Sequence, residues 1–175
     1  MTKDKEALLV DGYNVIYAWP ELMALEDLAH ARDKLIDFVA AYGAYQHYRV
    51  LIVFDAHGVS GAVNEQHVFN DVDVVFTSEG ETADSYIEKT AYHLVRQGEK
   101  VFVVTSDWAE QLIILGAGAF RISARELIRD LKQVNKLIQE KFAESALSYR
   151  RHELGNRLNG EVAKRLDDIR RGRRG

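Results

Sequence analysis

Apolar residues fall in short continuous runs separated by stretches of helical spacing. The first run, residues 7–10, stops at Asp11-Gly12, and the second, residues 50–54, stops at Asp55. A third run at 72–76 is interrupted by Asp73. A fourth at 101–104 leads into Thr105-Ser106-Asp107, and a short fifth covers 119–122. Such runs read as strands buried on both faces. Between them, Leu28, Leu35, Ile36, Val39 and Tyr42 share one helix face. Residues 82–97 predict a helix with Ile87, Ala91, Leu94 and Val95 inward and Gly98 as its stop. A short helix is predicted from Asp107 to about Gly116. Ser123 and Glu126 have capping-box spacing, in which each side chain satisfies a free amide of the other residue. Leu127, Leu131, Val134, Ile138 and Phe142 then mark a long amphipathic helix. A separate last helix is predicted around 156–170, striped by Leu158, Val162, Leu166 and Ile169. Strand alternating with helix predicts an α/β fold: a central, mostly parallel sheet flanked by helices, followed by a helical C-terminal tail.

In such sheets, ligands bind beyond the carboxyl ends of the strands. Three of the runs lead into aspartates, Asp11, Asp55 and Asp107, so all three are expected at one edge. Asp84, in GETADSYIE, opens a predicted helix whose N-terminus faces that same edge. There the helix dipole favours a carboxylate. Any one of these residues also reads as a helix cap or turn former. Four converging on one edge point instead to a cation site, because clustered carboxylates stay ionised only beside a compensating charge. Hard oxygen donors suit Mg²⁺ or Mn²⁺, and phosphodiester hydrolysis is the chemistry those parts serve best. Nucleotide-binding loops of the G-x-x-x-x-G-K-[ST] and G-x-G-x-x-G types are absent, as is a G-x-S-x-G nucleophile elbow. The six histidines show no H-E-x-x-H spacing. His57, two residues after Asp55, is the one placed to reach the cleft.

Charge adds a division along the 175-residue chain. Residues 149–175 carry nine Lys/Arg against four Asp/Glu, a net of +5, which leaves −9 for the remainder of a chain whose total is −4. The boundary is therefore drawn as a catalytic domain at 1–148 and a basic helical tail at 149–175. A basic tail suits a phosphate backbone, and it also suits a solvated helix. With no cysteine there is neither disulfide nor thiolate metal site. No apolar stretch reaches the ~18 residues needed to span a bilayer. The N-terminus lacks the run of a signal peptide, so a cytoplasmic protein without membrane contact is expected.

The segments LLVDGYNVIYAWPEL, VLIVFDAH, VVFTSEGETADSYIEK, VVTSDWAEQ and GAGAFRISARELIRDL occur in this order from about Leu8 to about Phe142. Together they resemble the YacP-like branch of the NYN domains, within the PIN-like nuclease superfamily. The resemblance implies a PIN-like fold and an endoribonuclease that cleaves mRNA in the ribosomal A site, with the ribosome and mRNA as partners. It implies Mg²⁺ or Mn²⁺ held by Asp11, Asp84 and Asp107, with Asp55 supporting the cleft. Asn14 matches the asparagine of the D-G-Y-N motif, where it would bond Asp11 or a bound water, or shape the turn. Hydrolysis of this kind leaves 5′-phosphate and 3′-hydroxyl ends. Tyr17 and Trp19 are candidates for stacking on unpaired bases. Arg150, Arg151, Arg170 and Arg171 of the tail are candidates for ribosomal RNA contacts.

Two other classes remain open. One is a non-catalytic ribosome- or RNA-binding module with a vestigial acidic pocket, against which four intact aspartates argue. The other is a phosphatase or receiver domain. The first needs D-x-D where this chain has Asp11-Gly12-Tyr13, and the second needs a lysine after a late strand that is missing here.

Overall fold

The computed structural model describes residues 6–56, 64–69, 71–106 and 116–172. Its sheet has six strands: β1 (Ala7–Asp11), β2 (Arg49–Phe54), β3 (Asn64–Phe69), β4 (Val72–Phe76), β5 (Val101–Val104) and β6 (Phe120–Ile122). Their spatial order is β3-β4-β2-β1-β5-β6. Every neighbouring pair is parallel except β3 with β4. The expected mostly parallel α/β sheet is therefore present. Strand β3 was not expected, because Asn64-Glu-Gln-His-Val-Phe69 is largely polar. An edge strand paired on one side tolerates that composition.

The chain steps from β1 outward to β2 and β4, then returns to the other side of β1 as β5. The order reverses between β1 and β5, and the carboxyl ends of those strands are where an open α/β sheet places its ligand.

Alternation along the strands gives each face its own helix. Ala7, Leu9, Val53, Val101 and Val103 pack with Ala83, Ile87 and Ala91 of α4 (Ala83–Arg96). Val50, Ile52 and Phe54 point the other way, and all are buried. There α3 (Leu28–Gln46) presents Ala31, Leu35, Val39 and Tyr42, a stripe at helical spacing. Asp27 caps its start by accepting the His30 amide at 2.7 Å. Two short helices, α1 (Gly12–Tyr17) and α2 (Pro20–Met23), link β1 to α3. Pro20 stands at the start of α2, where its missing N–H costs nothing.

The capping box opens α5 (Ala124–Gly172) as expected: Glu126 N–H donates to Ser123 Oγ at 3.2 Å, and Ser123 N–H donates to Glu126 Oε2 at 2.8 Å. The separate helix expected at 156–170 is instead the continuation of α5. No proline follows Pro20, and Gly155 and Gly160 do not take the positive φ that would stop a helix. Exposed pairs such as Arg157–Glu153 (3.0 Å) support its outer face. The chain divides into two compact units, Met1–Asn135 and Lys136–Gly175, and α5 passes the 148/149 charge boundary without a break. Val162, Leu166 and Ile169 of the predicted stripe are exposed. Among the described residues no helix is long and apolar enough to cross a membrane.

One glycine fixes how β1 passes into α1. A Cβ on Gly12 would fall 2.7 Å from Phe54 Cζ, with two other ring carbons closer still. Gly12→Ala is expected to cost about 1–3 kcal/mol through overpacking. The check is a lower urea midpoint at an unchanged m value.

Candidate active site

Asp11 ends β1 and caps α1, its Oδ1 accepting the Asn14 backbone N–H at 3.2 Å. Aspartate serves here because a short carboxylate reaches an amide three residues ahead. Asp55 follows β2 directly, and its Oδ1 accepts the backbone N–H of Ala83 at 2.6 Å. That amide lies in the first turn of α4, where N–H groups lack partners within the helix. Thr82 caps the same turn by accepting the Ser85 N–H at 3.1 Å. The end of β2 thus holds the start of α4, and with it the exposed Asp84. Buried Thr77 closes the neighbouring strand end: its Oγ1 accepts the Ala56 N–H at 3.2 Å, and its own N–H donates to Phe54 O at 3.0 Å.

These contacts bring Asp11, Asp55 and Asp84 to one edge of the sheet. The Asp11 carboxyl is pushed up to about 7, chiefly by burial and then by hydrogen bonding with Asp84, while the Asn14 amide pulls the other way. The charges of Asp84 and Asp55 add to the rise. Asp11 and Asp84 are therefore close enough to share a proton. Asp107 and His57 lie outside the described residues.

Other expected residues are placed less uniformly. Asn14 meets Asp11 through its backbone amide, while its side-chain Oδ1 is buried with no hydrogen-bond partner. Tyr17 is 62% exposed and stacks on Tyr13, ring centroids 6.0 Å apart. Trp19 is 2% exposed, packed on Phe38 at 5.0 Å with the Lys132 ammonium over its ring. It has no free face for a base, which corrects the stacking role expected for it. Phe38 of α3 and Lys132 of α5 cover the ring. Arg150, Arg151 and Arg170 are exposed on α5, and Arg171 falls in its last turn. Sequence reasoning missed Arg32 of α3, whose Nη1 donates to Tyr13 Oη at 3.0 Å and whose guanidinium lies over Phe76. No local signal marks it, because both partners are distant in sequence.

The donor set fits a hard divalent cation in kind. It offers carboxylate oxygens, Asp11 lifted by burial and by Asp84, and a buried amide oxygen, Asn14 Oδ1, left without a partner in the turn that follows. Among the described residues no three acidic or histidine side chains converge on one point as they stand. Asp55 is committed to the Ala83 amide.

The family model for the YacP-like NYN domain matches residues 8–171. The chain belongs to the YacP-like NYN domain family. It is 41% identical over 169 residues to the uncharacterized protein YacP of Bacillus subtilis (strain 168), covering 95% of this chain and 98% of that one. A crystal structure of Rae1 (YacP) from Bacillus subtilis superposes with a TM-score of 0.72 at 41% identity, covering 95% of each chain. A structure of a mutant of that protein matches with a TM-score of 0.68 over 79% of this chain and 82% of its own. NYN domains belong to the PIN-like nucleases, which supports a nuclease role in general and fits their usual reliance on divalent ions.

The raised Asp11 carboxyl gives this YacP-like domain a pH signature. Its native value of about 7 lies above the ordinary 3.8. The stability it contributes is thus full below about 4 and is lost as pH rises towards and through 7. Asp11→Asn keeps an oxygen for the Asn14 amide and removes the charge. Without divalent cations the variant is expected to be more stable than the wild type at pH 8, with the gain shrinking steadily between pH 7 and 4. Urea midpoints across that range test this, and a variant less stable than the wild type at pH 8 contradicts it.

Proposed function

We propose that this protein is a metal-dependent endoribonuclease that hydrolyses phosphodiester bonds of mRNA in the ribosomal A site. The observation that carries this reading is the Asp11–Asp84 carboxyl pair at the carboxyl edge of the parallel sheet, beside the strand-order reversal. Asp11 and Asp84 would hold the cation, Mg²⁺ or Mn²⁺, with Asp107 as the third ligand that the family resemblance implies. When bound, the cation supplies positive charge to the scissile phosphate and lowers the pKa of an attacking water. Asp84 is open to solvent, which leaves that side of the pair accessible to substrate. Asp55 is a positioning residue, keeping the first turn of α4 where Asp84 needs it. Water attacks phosphorus, the bond to the 3′ oxygen breaks, and the products carry 5′-phosphate and 3′-hydroxyl ends.

The basic end of α5 supports a second part of the proposal, contact with ribosomal RNA through Arg150, Arg151, Arg170 and Arg171. The acidic remainder of the chain is a poor general binder of RNA, so placement by a large RNA-rich partner suits it.

Asp11→Asn and Asp84→Asn are each expected to lower cleavage of a message in a reconstituted translation reaction by at least about a thousandfold, on the order of 4 kcal/mol. Undiminished cleavage in both variants rejects the assignment. Asp55→Asn keeps an acceptor for the Ala83 amide and should retain most activity, whereas Asp55→Ala should lose about 10–100-fold. Replacing the four tail arginines by alanine in the full chain should weaken ribosome co-sedimentation and flatten its dependence on salt. Unchanged co-sedimentation leaves the tail a solvated helix.

A further inference from the structure

A row of aromatic rings runs beside the acidic edge on the face covered by α3. Tyr17 stacks on Tyr13 at 6.0 Å, the edge of Tyr13 meets Phe54 at 5.1 Å, and Phe54 stacks on Phe76 at 5.5 Å. The row is anchored to the site at both ends of the chain segment that builds it. Tyr13 is two residues past Asp11, and Phe54 immediately precedes Asp55. Gly12, between Asp11 and Tyr13, sits hard against the Phe54 ring, so the rings and the carboxylates share one framework.

Arg32 spans this row. Its Nη1 donates to Tyr13 Oη at 3.0 Å, and its guanidinium carbon lies 5.7 Å from the centroid of Phe76. A hydroxyl and a ring face orient the guanidinium without neutralising it, and among the described residues no carboxylate lies within ion-pair distance of it. Of its five N–H donors one is used by Tyr13, and the side chain is only half-buried. A fixed guanidinium beside an acidic edge, with no carboxylate partner among the described residues, is an anion receptor at a place where the neighbouring charges would otherwise repel a nucleic acid.

We propose that Arg32 binds the backbone phosphate next to the scissile one, and that Tyr17 stacks on the base of that nucleotide. This assignment rests on the nuclease reading for its position, and it adds the residue that seats the strand. It also defines the substrate class: an exposed ring at 62% accessibility stacks on an unpaired base, so the strand is single-stranded over the site. Tyr13 acts through Arg32 and Tyr17 as a positioning residue, its hydroxyl aiming the guanidinium and its ring supporting Tyr17.

The test uses the full chain carrying Asp84→Asn, so that RNA is bound without being cut, and a labelled single-stranded oligoribonucleotide read by fluorescence anisotropy. Adding Arg32→Ala is expected to weaken binding about tenfold and to reduce the slope of log affinity against log salt by about one. Arg32→Gln keeps a donor for Tyr13 Oη and loses only the charge, so it should show the same reduced slope in a protein of unchanged melting temperature. Arg32→Lys should restore the slope and part of the affinity, since a point charge replaces a fork. Tyr17→Ala should weaken binding about tenfold with the slope unchanged. Affinity and slope unaltered in both Arg32→Ala and Arg32→Gln overturn the proposal, as does an Asp84→Asn protein that binds no RNA. Cleavage of a message by the parent chain in the reconstituted translation reaction separates the two readings. An active parent with Arg32-independent binding removes Arg32 from the strand path and leaves the nuclease standing. An inactive parent with Arg32-dependent binding removes the nuclease and leaves the phosphate contact standing.

Discussion

The hydrogen bond from the Ala83 amide to Asp55 is the contact on which the site depends. Helix α4 packs its apolar face on one side of the sheet, and that packing alone sets its distance from the strands but not its position along them. A carboxylate at the end of β2, 2.6 Å from an amide in the first turn, sets the second coordinate. Asp84 is the next residue, so its carboxyl is delivered to Asp11 by a bond it does not itself make. An amide without an internal partner gains a charged acceptor, and a charged acceptor gains a donor, in a place where both lose water. The same edge also holds the cost: Asp11 sits half-buried among like charges, and its carboxyl is pushed up accordingly.

The strands with continuous apolar runs were legible because burial on both faces leaves little choice of residue. The helices α3 and α4 were legible from spacing, and the start of α5 from its capping box at Ser123 as well. What was not legible follows from where tertiary contacts replace local ones. Strand β3 has no apolar alternation to betray it, since an edge strand takes its order from one neighbour. The separate last helix expected around 156–170 is the continuation of α5, because Gly155 and Gly160 remain in helical backbone. For the site, Asp11, Asp55 and Asp84 were visible as chain positions at strand and helix ends, and the parallel topology did the rest. Trp19 was misplaced because an aromatic near a site reads the same whether it faces water or core. Arg32 had no signature, since its meaning comes from Tyr13 and Phe76, brought to it by folding.

The charge along the chain divides the work between two kinds of contact. The unit that carries the carboxylates is acidic, and it presents to a polyanion an edge that repels it. On the proposed reading, affinity comes from elsewhere: Arg32, held between Tyr13 and Phe76, and the arginines of α5. On that reading, seating of the strand and recruitment through the tail are separable properties, each with its own salt dependence.

The missing side chain at Gly12 has a consequence for how this site can change over time. Phe54 occupies the space that any Cβ at position 12 would enter, so the two positions form a closed pair. A larger residue at 12 becomes acceptable only after the ring at 54 has been made smaller, and a smaller residue at 54 leaves a void until 12 is enlarged. Neither single step is neutral. The turn that presents Asp11 is in this sense locked by genetic background, and variation in the domain is channelled away from it towards positions whose neighbours can yield.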